Sequence, residues 1–192
     1  MTWLTHFANP VQKILDDGSV TPIKNKHRHL TWYNLHQEQT EPVRTVWINN
    51  QFGQQRVVVQ DPISLLVPAE KTSDPDSRLA ERLDHYKCYE IVDVIVGPET
   101  HSMSLQDQFG GLEDIQLGDP KHFCNPVRKE RAGQVEDVIK RPHDHLTLYS
   151  ISVIDVTVDF TITDQFLTEQ DLQTDESRLL AVPTRKRGFD TQ

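Results

Sequence analysis

The histidines of this chain have the spacing that comes nearest to a metal site. His27 and His29 are two residues apart, as are His143 and His145, so each pair would place two imidazoles on one face of a strand. No set of cysteines or carboxylates completes a four-ligand pattern beside them. His29, His85 and His145 also recur at matching positions of the chain. We therefore expect structural histidines at strand starts, with no metal and no cofactor.

The carboxylates that best fit acid–base chemistry are Asp107 and Asp164, with Glu113 and Asp171 nearby. Asn50 occupies the matching position in the first part of the chain, and an amide replaces a carboxylate as a turn acceptor but not as a general acid or nucleophile. The chain also lacks a G-x-S-x-G elbow, a glycine-rich phosphate loop and an H-E-x-x-H motif. We expect a protein that is not an enzyme and has no catalytic residues. A hydrolase using Asp107 and Asp164 is the remote alternative.

The stretches that carry these residues recur along the chain. The segment Lys121–Lys129 has counterparts in Thr5–Lys13, Ile63–Lys71 and Arg178–Lys186. The proline in each copy follows the previous one after 57 or 58 residues, a fixed period that marks a tandem repeat. These prolines are Pro10, Pro68, Pro126 and Pro183.

Two further stretches recur within each repeat. Each repeat opens with a histidine that is followed four residues later by a tyrosine: Tyr33, Tyr89 or Tyr149. A second stretch ends in Asn-Gln-Phe or Asp-Gln-Phe, at Phe52, Phe109 and Phe166. Apolar and polar residues alternate in the opening stretches, which predicts half-buried strands. Gly53 and Gly110 follow the phenylalanine and predict a tight turn, whereas Leu167 predicts a different turn in the third repeat.

We expect an all-β protein with three tandem repeats of about 57 residues, about four strands in each, and an orphan N-terminal strand. One repeat is below the size that usually folds alone, so the repeats should share a core or stack. The pattern fits a linear row of small sandwiches or a compact pseudo-threefold body, and we expect a compact or stacked unit. The expected segments are an orphan strand at 1–13, a linker at 14–28, repeat 1 at 29–72, a linker at 73–84, repeat 2 at 85–130, a linker at 131–144, repeat 3 at 145–187 and a tail at 188–192.

These stretches, in this order, resemble an uncharacterised tandem-repeat domain family found mostly in predicted secreted or surface proteins of bacteria. Its repeats contain H-x-x-C-Y, D-Q-F-G and L-C-x-P-x-x-K. The middle repeat is most similar, through Asp84–Tyr89, Asp107–Gly110 and Phe123–Lys129. The resemblance runs from about residue 29 to residue 187 and implies no particular activity. The outer repeats depart from it because they lack the cysteines.

Cys88 and Cys124 are the only cysteines, and they lie in the first and last strands of the middle repeat. The matching positions hold apolar residues in the other repeats: Trp32 and Leu66 in the first, Leu148 and Ala181 in the third. This pattern predicts one buried cross-strand contact, which a disulfide fills in the middle repeat. Two reduced core thiols are the alternative, favoured in a reducing compartment.

The net charge of −9 and the pI near 5.4 argue against binding to nucleic acid or to an anionic membrane surface. No apolar run reaches the roughly 20 residues of a spanning helix. Met1–His6 lacks the basic and apolar regions of a secretory signal. We expect a protein of a virion or cell surface, for which cytosolic synthesis is compatible with the missing signal.

The segment Thr5–Lys13 looks like the end of a repeat whose beginning is absent, and an unpaired strand needs a partner. It closes a ring within the chain, covers an edge of the first repeat, or pairs with another subunit. We expect other protein subunits as partners through this segment, in an oligomer or a lattice. The expected function is a structural or interaction protein that builds or decorates a larger assembly, such as a phage virion or a cell-surface layer.

A carbohydrate-binding or other ligand-binding surface module is the alternative function. Trp3, Trp32 and Trp47 are its candidate contacts, although Trp32 takes the place of a cysteine and is better explained as core. A lysine ends the proline segment in every copy, at Lys13, Lys71, Lys129 and Lys186. We interpret these lysines as solvated strand ends that discourage edge aggregation, with a row of cations for an acidic glycan or partner as the alternative.

Overall fold

The computed structural model describes residues 4–36, 40–73, 76, 78–80, 83–99, 101–131, 133–168 and 170–191. These residues form fifteen β-strands, and no helix occurs among them, which confirms the expected all-β class. Thirteen strands share one antiparallel sheet, and the remaining two pair with each other. The strands are β1 (Leu4–Ala8), β2 (Gln12–Leu15), β3 (Val20–Thr21), β4 (His29–Asn34), β5 (Arg44–Asn50), β6 (Gly53–Lys71), β7 (His85–Val96), β8 (Ser102–Asp107), β9 (Gly110–Val127), β10 (Lys129–Arg131), β11 (Gln134–Asp137), β12 (His145–Asp155), β13 (Asp159–Thr163), β14 (Gln170–Gln173) and β15 (Glu176–Thr191).

Seven strands form the centre of the sheet, in the order β1, β4, β6, β7, β9, β12 and β15, and each is antiparallel to its neighbours. Two kinds of strand alternate in this order. The opening strands β4, β7 and β12 begin at the repeated histidine. The proline strands β1, β6, β9 and β15 belong to the four proline segments. Every opening strand therefore lies between two proline strands.

The central sheet curves until side chains from distant strands meet on its inner face. Trp32 of β4 packs against His122 of β9 with ring centroids 5.2 Å apart, although β6 and β7 lie between these strands. The inner face holds one buried cluster, formed by Leu30, Trp32, Leu66, Ala80, Leu83, Tyr86, Cys88, Cys124 and Leu148. A curved sheet with a filled interior is the geometry of a small β-barrel, which confirms a shared core over a linear row.

Three hairpins cover the outer face of this barrel: β5 with the start of β6, β8 with the start of β9, and β13 with β14. The first buries Ile48 and Val57 in a cluster with Phe123 of the barrel. The second forms a cluster with the outer face of β12 and β15 that includes Leu105, Ile115, Tyr149 and Leu180. The third places the Phe160 ring 4.6 Å from the Phe7 ring of β1.

Each outer hairpin is extended by the end of a proline segment from another part of the chain. The lysines of these segments lie opposite equivalent hairpin residues: Lys13 opposite Leu105, Lys71 opposite Ile162, and Lys186 opposite Ile48. The N-terminal segment Thr5–Lys13 thus pairs within the chain, through β1 with β4 and through β2 with β8. Of the arrangements left open for this segment, covering an edge of the first repeat is the one that the structure adopts.

Three of the repeated lysines lie over aromatic rings, and the Lys186 ammonium is 5.5 Å from the centre of the Phe189 ring. The Lys13 ammonium lies 4.9 Å from the centre of the Phe52 ring, and the Lys71 ammonium lies 4.4 Å from that of Phe109. Lys13 is only 3% exposed, and burial lowers its pKa to about 8. The interpretation of this lysine as a solvated strand end is therefore wrong, because folded elements cover it.

In the first two repeats, the strand that follows the turn glycine continues into the proline segment as one long strand. β6 has 19 residues and β9 has 18, and each shows register shifts beside an internal proline, Pro62 or Pro120. Proline lacks the N–H that a ladder needs, so it is tolerated where the pairing is already interrupted. In the third repeat the two strands stay separate, since β14 ends at Gln173 and β15 begins at Glu176.

A disulfide joins Cys88 of β7 to Cys124 of β9, which lie directly opposite each other and are both fully buried. The matching residues are opposite each other in the other repeats as well: Trp32 with Leu66, and Leu148 with Ala181. The predicted cross-strand contact and its disulfide are both confirmed. One position of the barrel interior is thus filled by a covalent bond in one repeat and by packing in two.

Replacing both cysteines, Cys88→Ala with Cys124→Ala, should lower the free energy of unfolding. The disulfide spans a sequence separation of 36 residues, for which loop entropy gives about 3–4 kcal/mol. Urea unfolding of the wild-type chain and of the double variant, each with and without reductant, measures this loss. The free energy of unfolding of the reduced wild-type chain should approach that of the double variant. Reductant should not change the free energy of unfolding of the double variant. A reduced wild-type chain that keeps its full stability would contradict the prediction.

Candidate functional site

The central sheet is incomplete between β1 and β15. The proline strands β6 and β9 each have an opening strand on both edges. In contrast, among the strands that the structure describes, β1 pairs only with β4, and the part of β15 from Glu176 to Thr184 pairs only with β12. Within the described part of the chain, no strand pairs with the second edge of either segment. The space between these two edges is called the cleft below.

A cavity of about 550 Å³ occupies the cleft. Residues 4–9 and 175–181 form its two sides, and Trp32 and Leu148 of the barrel interior also line it. The volume lies in the range of roughly 300–1,000 Å³ that is typical of ligand pockets. The cavity therefore connects the inner core of the barrel with solvent.

Side chains at equivalent positions are more exposed at the cleft than elsewhere in the barrel. Two residues before the repeated proline, Leu66 is 2% exposed and Cys124 is fully buried. At the same position, Ala8 of β1 and Ala181 of β15 are only half-buried. The neighbour that covers this position in the middle of the barrel is missing at the cleft.

Three ring side chains lie together beside the cleft, and two of them, His6 and Trp32, line its cavity. The Trp32 indole is 4.9 Å from the His6 imidazole and 5.2 Å from that of His122. Among the described residues, neither Trp32 Nε1 nor His122 Nδ1 has a hydrogen-bond partner, although both atoms are buried. A buried unpaired donor costs free energy, so Trp32 Nε1, whose side chain lines the cavity, favours a polar group that enters from the cleft.

Burial lowers the pKa of both imidazoles in this group. Burial lowers the pKa of His122 to about 4, and the charges of His6 and Lys121 add to this shift. Burial also lowers the pKa of His6, with a contribution from Arg178. The cavity lining combines apolar side chains, such as Leu66 and Leu148, with the charged side chains of Asp107, Asp175, Glu176 and Arg178.

The repeated Asn or Asp accepts a backbone hydrogen bond in its own turn, as the sequence predicts. The N–H groups of the phenylalanines donate to these oxygens: Phe52 to Asn50 Oδ1 at 2.9 Å, Phe109 to Asp107 Oδ1 at 2.7 Å, and Phe166 to Asp164 Oδ1 at 2.7 Å. Gly53 and Gly110 have positive φ angles of 92° and 142°, as a tight turn requires. The third turn differs because the Leu167 N–H also donates to Asp164 Oδ1, at 3.0 Å.

The first and third turns also bond to tyrosines of opening strands. Asn50 Nδ2 donates to the Tyr149 hydroxyl at 2.7 Å, and Gln55 Nε2 donates to it at 2.6 Å. The Tyr33 hydroxyl donates to Asp164 Oδ2 at 2.7 Å, and burial together with this hydrogen bond raises the pKa of Tyr33 above its ordinary value. These contacts tie the outer hairpins to the barrel.

The second turn bonds to the N-terminal segment instead. Asn9 Nδ2 donates to Asp107 Oδ2 at 3.3 Å, and Gln108 Nε2 donates to Asn9 Oδ1 at 2.6 Å. Tyr89, the tyrosine of the second opening strand, is half-buried beneath the Lys87 ammonium at 5.2 Å. Asp107 and Asp164 therefore each accept a backbone hydrogen bond in a different turn, and the two turns lie at separate positions of the outer layer.

The repeated phenylalanines differ in their burial. Phe52 is fully buried, with its ring 5.3 Å from that of Tyr149. Phe109 is half-buried, and Phe166 is 55% exposed with its ring edge-on to Tyr33 at 4.9 Å. The matching sequence positions thus have different neighbours in the three repeats.

The paired histidines do not share a strand face. His29 and His145 each begin an opening strand, whereas His27 and His143 lie in the turns before them. His29 Nδ1 is 3.1 Å from Asn9 Oδ1, and the His145 ring stacks on that of Phe123. No group of three or more His, Cys, Asp or Glu side chains with metal-binding geometry occurs in the described ranges.

The four prolines mark equivalent places at the ends of the barrel strands. Pro10 follows β1, and the other three lie opposite the residue after the opening histidine: Pro68 opposite Leu30, Pro126 opposite Tyr86, and Pro183 opposite Leu146. Pro68 and Pro126 are buried, whereas Pro183 is exposed beside the cleft.

Sequence reasoning identified Thr5–Lys13 as a strand in need of a partner but missed β15 as the second wall of the cleft. The signal was present in the repeat count. The chain has four proline segments but only three opening stretches, so the first and the last proline segments can each have only one opening strand as a neighbour.

The fold and the cleft define a class of protein: an all-β tandem-repeat protein with an open barrel of alternating opening and proline strands. The chain belongs to the DUF7450 family, described as a repeat of unknown function, whose family pattern matches residues 29–183. The resemblance to an uncharacterised tandem-repeat family is thereby confirmed. Comparison with curated proteins and with solved structures finds no match. In the described ranges, no helix is long and apolar enough to cross a membrane.

Acid should destabilise the barrel through His122. Its pKa of about 4 in the folded chain lies below the ordinary value of 6.5, so the unfolded chain binds more protons between these two values. The free energy of unfolding should therefore fall as the pH is lowered from about 6.5 to about 4. His122→Leu, which inserts the residue that the third repeat has at the equivalent position Leu179, should make this fall shallower. Urea unfolding at several pH values measures how steeply the free energy of unfolding falls with pH in the wild-type chain and in the variant. Equal slopes would contradict the assignment of this pH dependence to His122.

Asp164→Ala should destabilise the fold more than Asp107→Ala. Asp164 accepts hydrogen bonds from Tyr33, Thr31 and two turn N–H groups, so its loss leaves buried donors unpaired, at a cost of about 3 kcal/mol. Asp107 accepts from Asn9 and one turn N–H, and its loss should cost about 1 kcal/mol. Parallel urea titrations of the two variants compare these costs. A larger loss for Asp107→Ala would show that the bonds to Tyr33 and Thr31 contribute little.

Proposed function

We propose that this chain is a non-enzymatic structural or interaction protein that holds a segment of another protein subunit in the cleft. The observation that carries this proposal is that two strand edges, those of β1 and of Glu176–Thr184 in β15, have no pairing strand among the described residues and line the same cavity. An unpaired edge presents free backbone N–H and C=O groups, and it binds an added strand with main-chain hydrogen bonds. Cavity and edges together suit an extended peptide.

We place this interaction in a larger assembly, such as a phage virion or a cell-surface layer. The Cys88–Cys124 disulfide supports this setting, since structural disulfides persist in oxidising environments such as virions and cell surfaces. The net charge of −9 favours a protein partner over nucleic acid or an anionic membrane. The N-terminal segment contributes to the partner site as one wall of the cleft.

The arrangement of the carboxylates supports a role without catalysis. Asp107 and Asp164, the residues of the remote hydrolase alternative, accept hydrogen bonds within separate turns. The cavity lining contains three carboxylates, Asp107, Asp175 and Glu176. Asp107 accepts hydrogen bonds from Asn9 and from the Phe109 N–H, and Glu176 pairs with Arg178. Binding is therefore the better explanation of the cleft.

The tryptophans give less support to the carbohydrate-binding alternative. Trp47 is 42% exposed, but the Arg56 guanidinium lies 4.9 Å from the centre of its ring and covers one face. Trp32 is 6% exposed and belongs to the barrel interior. Trp3 lies outside the described residues. Sugars stack on open aromatic faces, so the cleft remains the preferred site.

Site-specific photo-crosslinking tests the proposal in the cells that naturally produce the protein. A photoreactive residue at Leu179, which lines the cavity, should form an adduct with a second polypeptide that sediments with a large assembly. The matched control is Val153 of β12, which is 60% exposed and outside the cavity lining. An adduct from Leu179 but not from Val153 supports the proposal. Only intramolecular products from Leu179, or equal adducts from both positions, would refute it.

A further inference from the structure

We propose that the occupant of the cleft is a repeat-opening strand from another polypeptide, antiparallel to both β1 and β15. This inference rests on the proposed function and names the chemistry of the partner. An extended segment is expected in which two apolar side chains, separated by one residue, point into the barrel. It would convert the open sheet into a closed barrel.

The first step is the direction of the strands. Each neighbour in the series β1, β4, β6, β7, β9, β12 and β15 is antiparallel to the next. With seven strands, β1 and β15 at the two ends run in the same direction. A single inserted strand can therefore be antiparallel to both, and it gives eight strands, a number that closes a small barrel around a filled interior.

The second step is the register on the edge that faces the opening strand of the same repeat. The residue after the opening histidine lies opposite the repeated proline in all three repeats, as in the pair Tyr86 and Pro126. The inner residue two positions further lies opposite the residue two positions before the proline: Trp32 with Leu66, Cys88 with Cys124, Leu148 with Ala181. This register is the same in every repeat.

The third step is the register on the edge that faces the next repeat. Here the residue after the opening histidine lies opposite the residue two positions before the proline. The three pairs are Leu30 with Ala8, Tyr86 with Leu66, and Leu146 with Cys124. This second register is also the same at every junction. The register of a proline strand with each of its two neighbouring opening strands is therefore fixed.

These two registers define the missing strand. Its first inner residue should lie opposite Ala181 of β15 and Pro10 beyond β1. Its second inner residue should lie opposite Leu179 of β15 and Ala8 of β1. Both alanines are half-buried, whereas the equivalent Leu66 and Cys124 are buried. The small alanine side chains leave room for a bulky apolar partner at each position.

The inner residues of the three opening strands indicate which side chains fit. The first inner position holds Leu30, Tyr86 or Leu146, and the second holds Trp32, Cys88 or Leu148. All are apolar or aromatic, in keeping with the buried cluster that they form. A segment with this pattern buries apolar side chains inside the barrel and satisfies the backbone of both edges at once.

The native disulfide provides the test, since Cys88 and Cys124 occupy the second inner position and its partner. Ala8 is the N-terminal counterpart of Cys124. The Ala8→Cys variant is incubated with a synthetic peptide of residues 83–92, which carries Cys88, in a redox buffer of reduced and oxidised glutathione, and the oxidised form takes up the two electrons released when the two thiols join. A mixed disulfide with Ala8→Cys is expected. A peptide with Cys88→Ala and Lys87→Cys, which moves the thiol to the outer face, should react at least tenfold less.

A reciprocal pair checks the register on the other wall. The Ala181→Cys variant should prefer a peptide with Tyr86→Cys and Cys88→Ala, whose thiol stands at the first inner position. Val153→Cys, on the exposed surface of β12, is the matched control and should react with all peptides alike. If Ala8→Cys and Ala181→Cys also react with all peptides alike, the strand register is refuted.

A measurement on the wild-type chain keeps the inference testable if the cysteine variants do not fold. The peptide of residues 83–92 with Cys88→Leu should raise the thermal midpoint of the wild-type chain in a concentration-dependent way, because it binds only the folded state. The same peptide with Tyr86→Asp and Cys88→Asp should not. Equal effects, or no effect of either peptide, would overturn the inference. If Leu179 forms adducts in cells but the purified chain does not discriminate between the peptides, the proposed function stands. Only the identification of the partner segment as an opening strand is then refuted.

Discussion

The backbone of the proline strands has hydrogen-bonding groups on both edges, and this requirement organises the whole molecule. In the middle of the barrel, β6 and β9 satisfy it with an opening strand on each side, in registers that repeat from one junction to the next. Because the inner side chains are fixed by these registers, they meet as one cluster that includes Trp32, Cys88 and Leu148. Where the requirement is not met, at β1 and β15, the barrel opens and a cavity of about 550 Å³ appears.

The outer layer depends on the barrel for its own stability. A two-stranded hairpin is marginal in water, so each of the three needs both an apolar face to cover and a strand to extend it. The proline segments that contain Lys13, Lys71 and Lys186 provide the extension at equivalent hairpin positions. The turns then bond back to barrel residues, as Asp164 does with Tyr33. The N-terminal segment is therefore part of both layers, through β1 in the barrel and β2 in the outer sheet.

This double role connects the repeat architecture with the proposed function. A chain with one more proline segment than opening strands places an unfilled edge on each side of one cleft. Apolar side chains of the lining, such as Leu66 and Leu148, and Trp32 Nε1, which has no hydrogen-bond partner among the described residues, make the cleft suited to a peptide with apolar side chains and backbone donors and acceptors. Strand addition is a general mode of recognition that uses these groups. Such a mechanism would join subunits without any dedicated binding loop.

The sequence by itself determined the features that depend on neighbouring residues or on repetition. Alternation of apolar and polar residues predicted the strands, Asn50, Asp107 and Asp164 predicted the turns, and apolar substitutions at the cysteine positions predicted the contact between Cys88 and Cys124. Local patterns fix these features because they report which side chains face the core.

Only the tertiary structure decided which strands meet. It showed β1 beside β4, Lys13 buried against Phe52, and a cleft between β1 and the Glu176–Thr184 part of β15. Strand pairing joins residues far apart in the chain, and its outcome depends on the curvature of the whole sheet. No local periodicity encodes that curvature, so the sequence predicted an orphan strand but not the second strand that faces it.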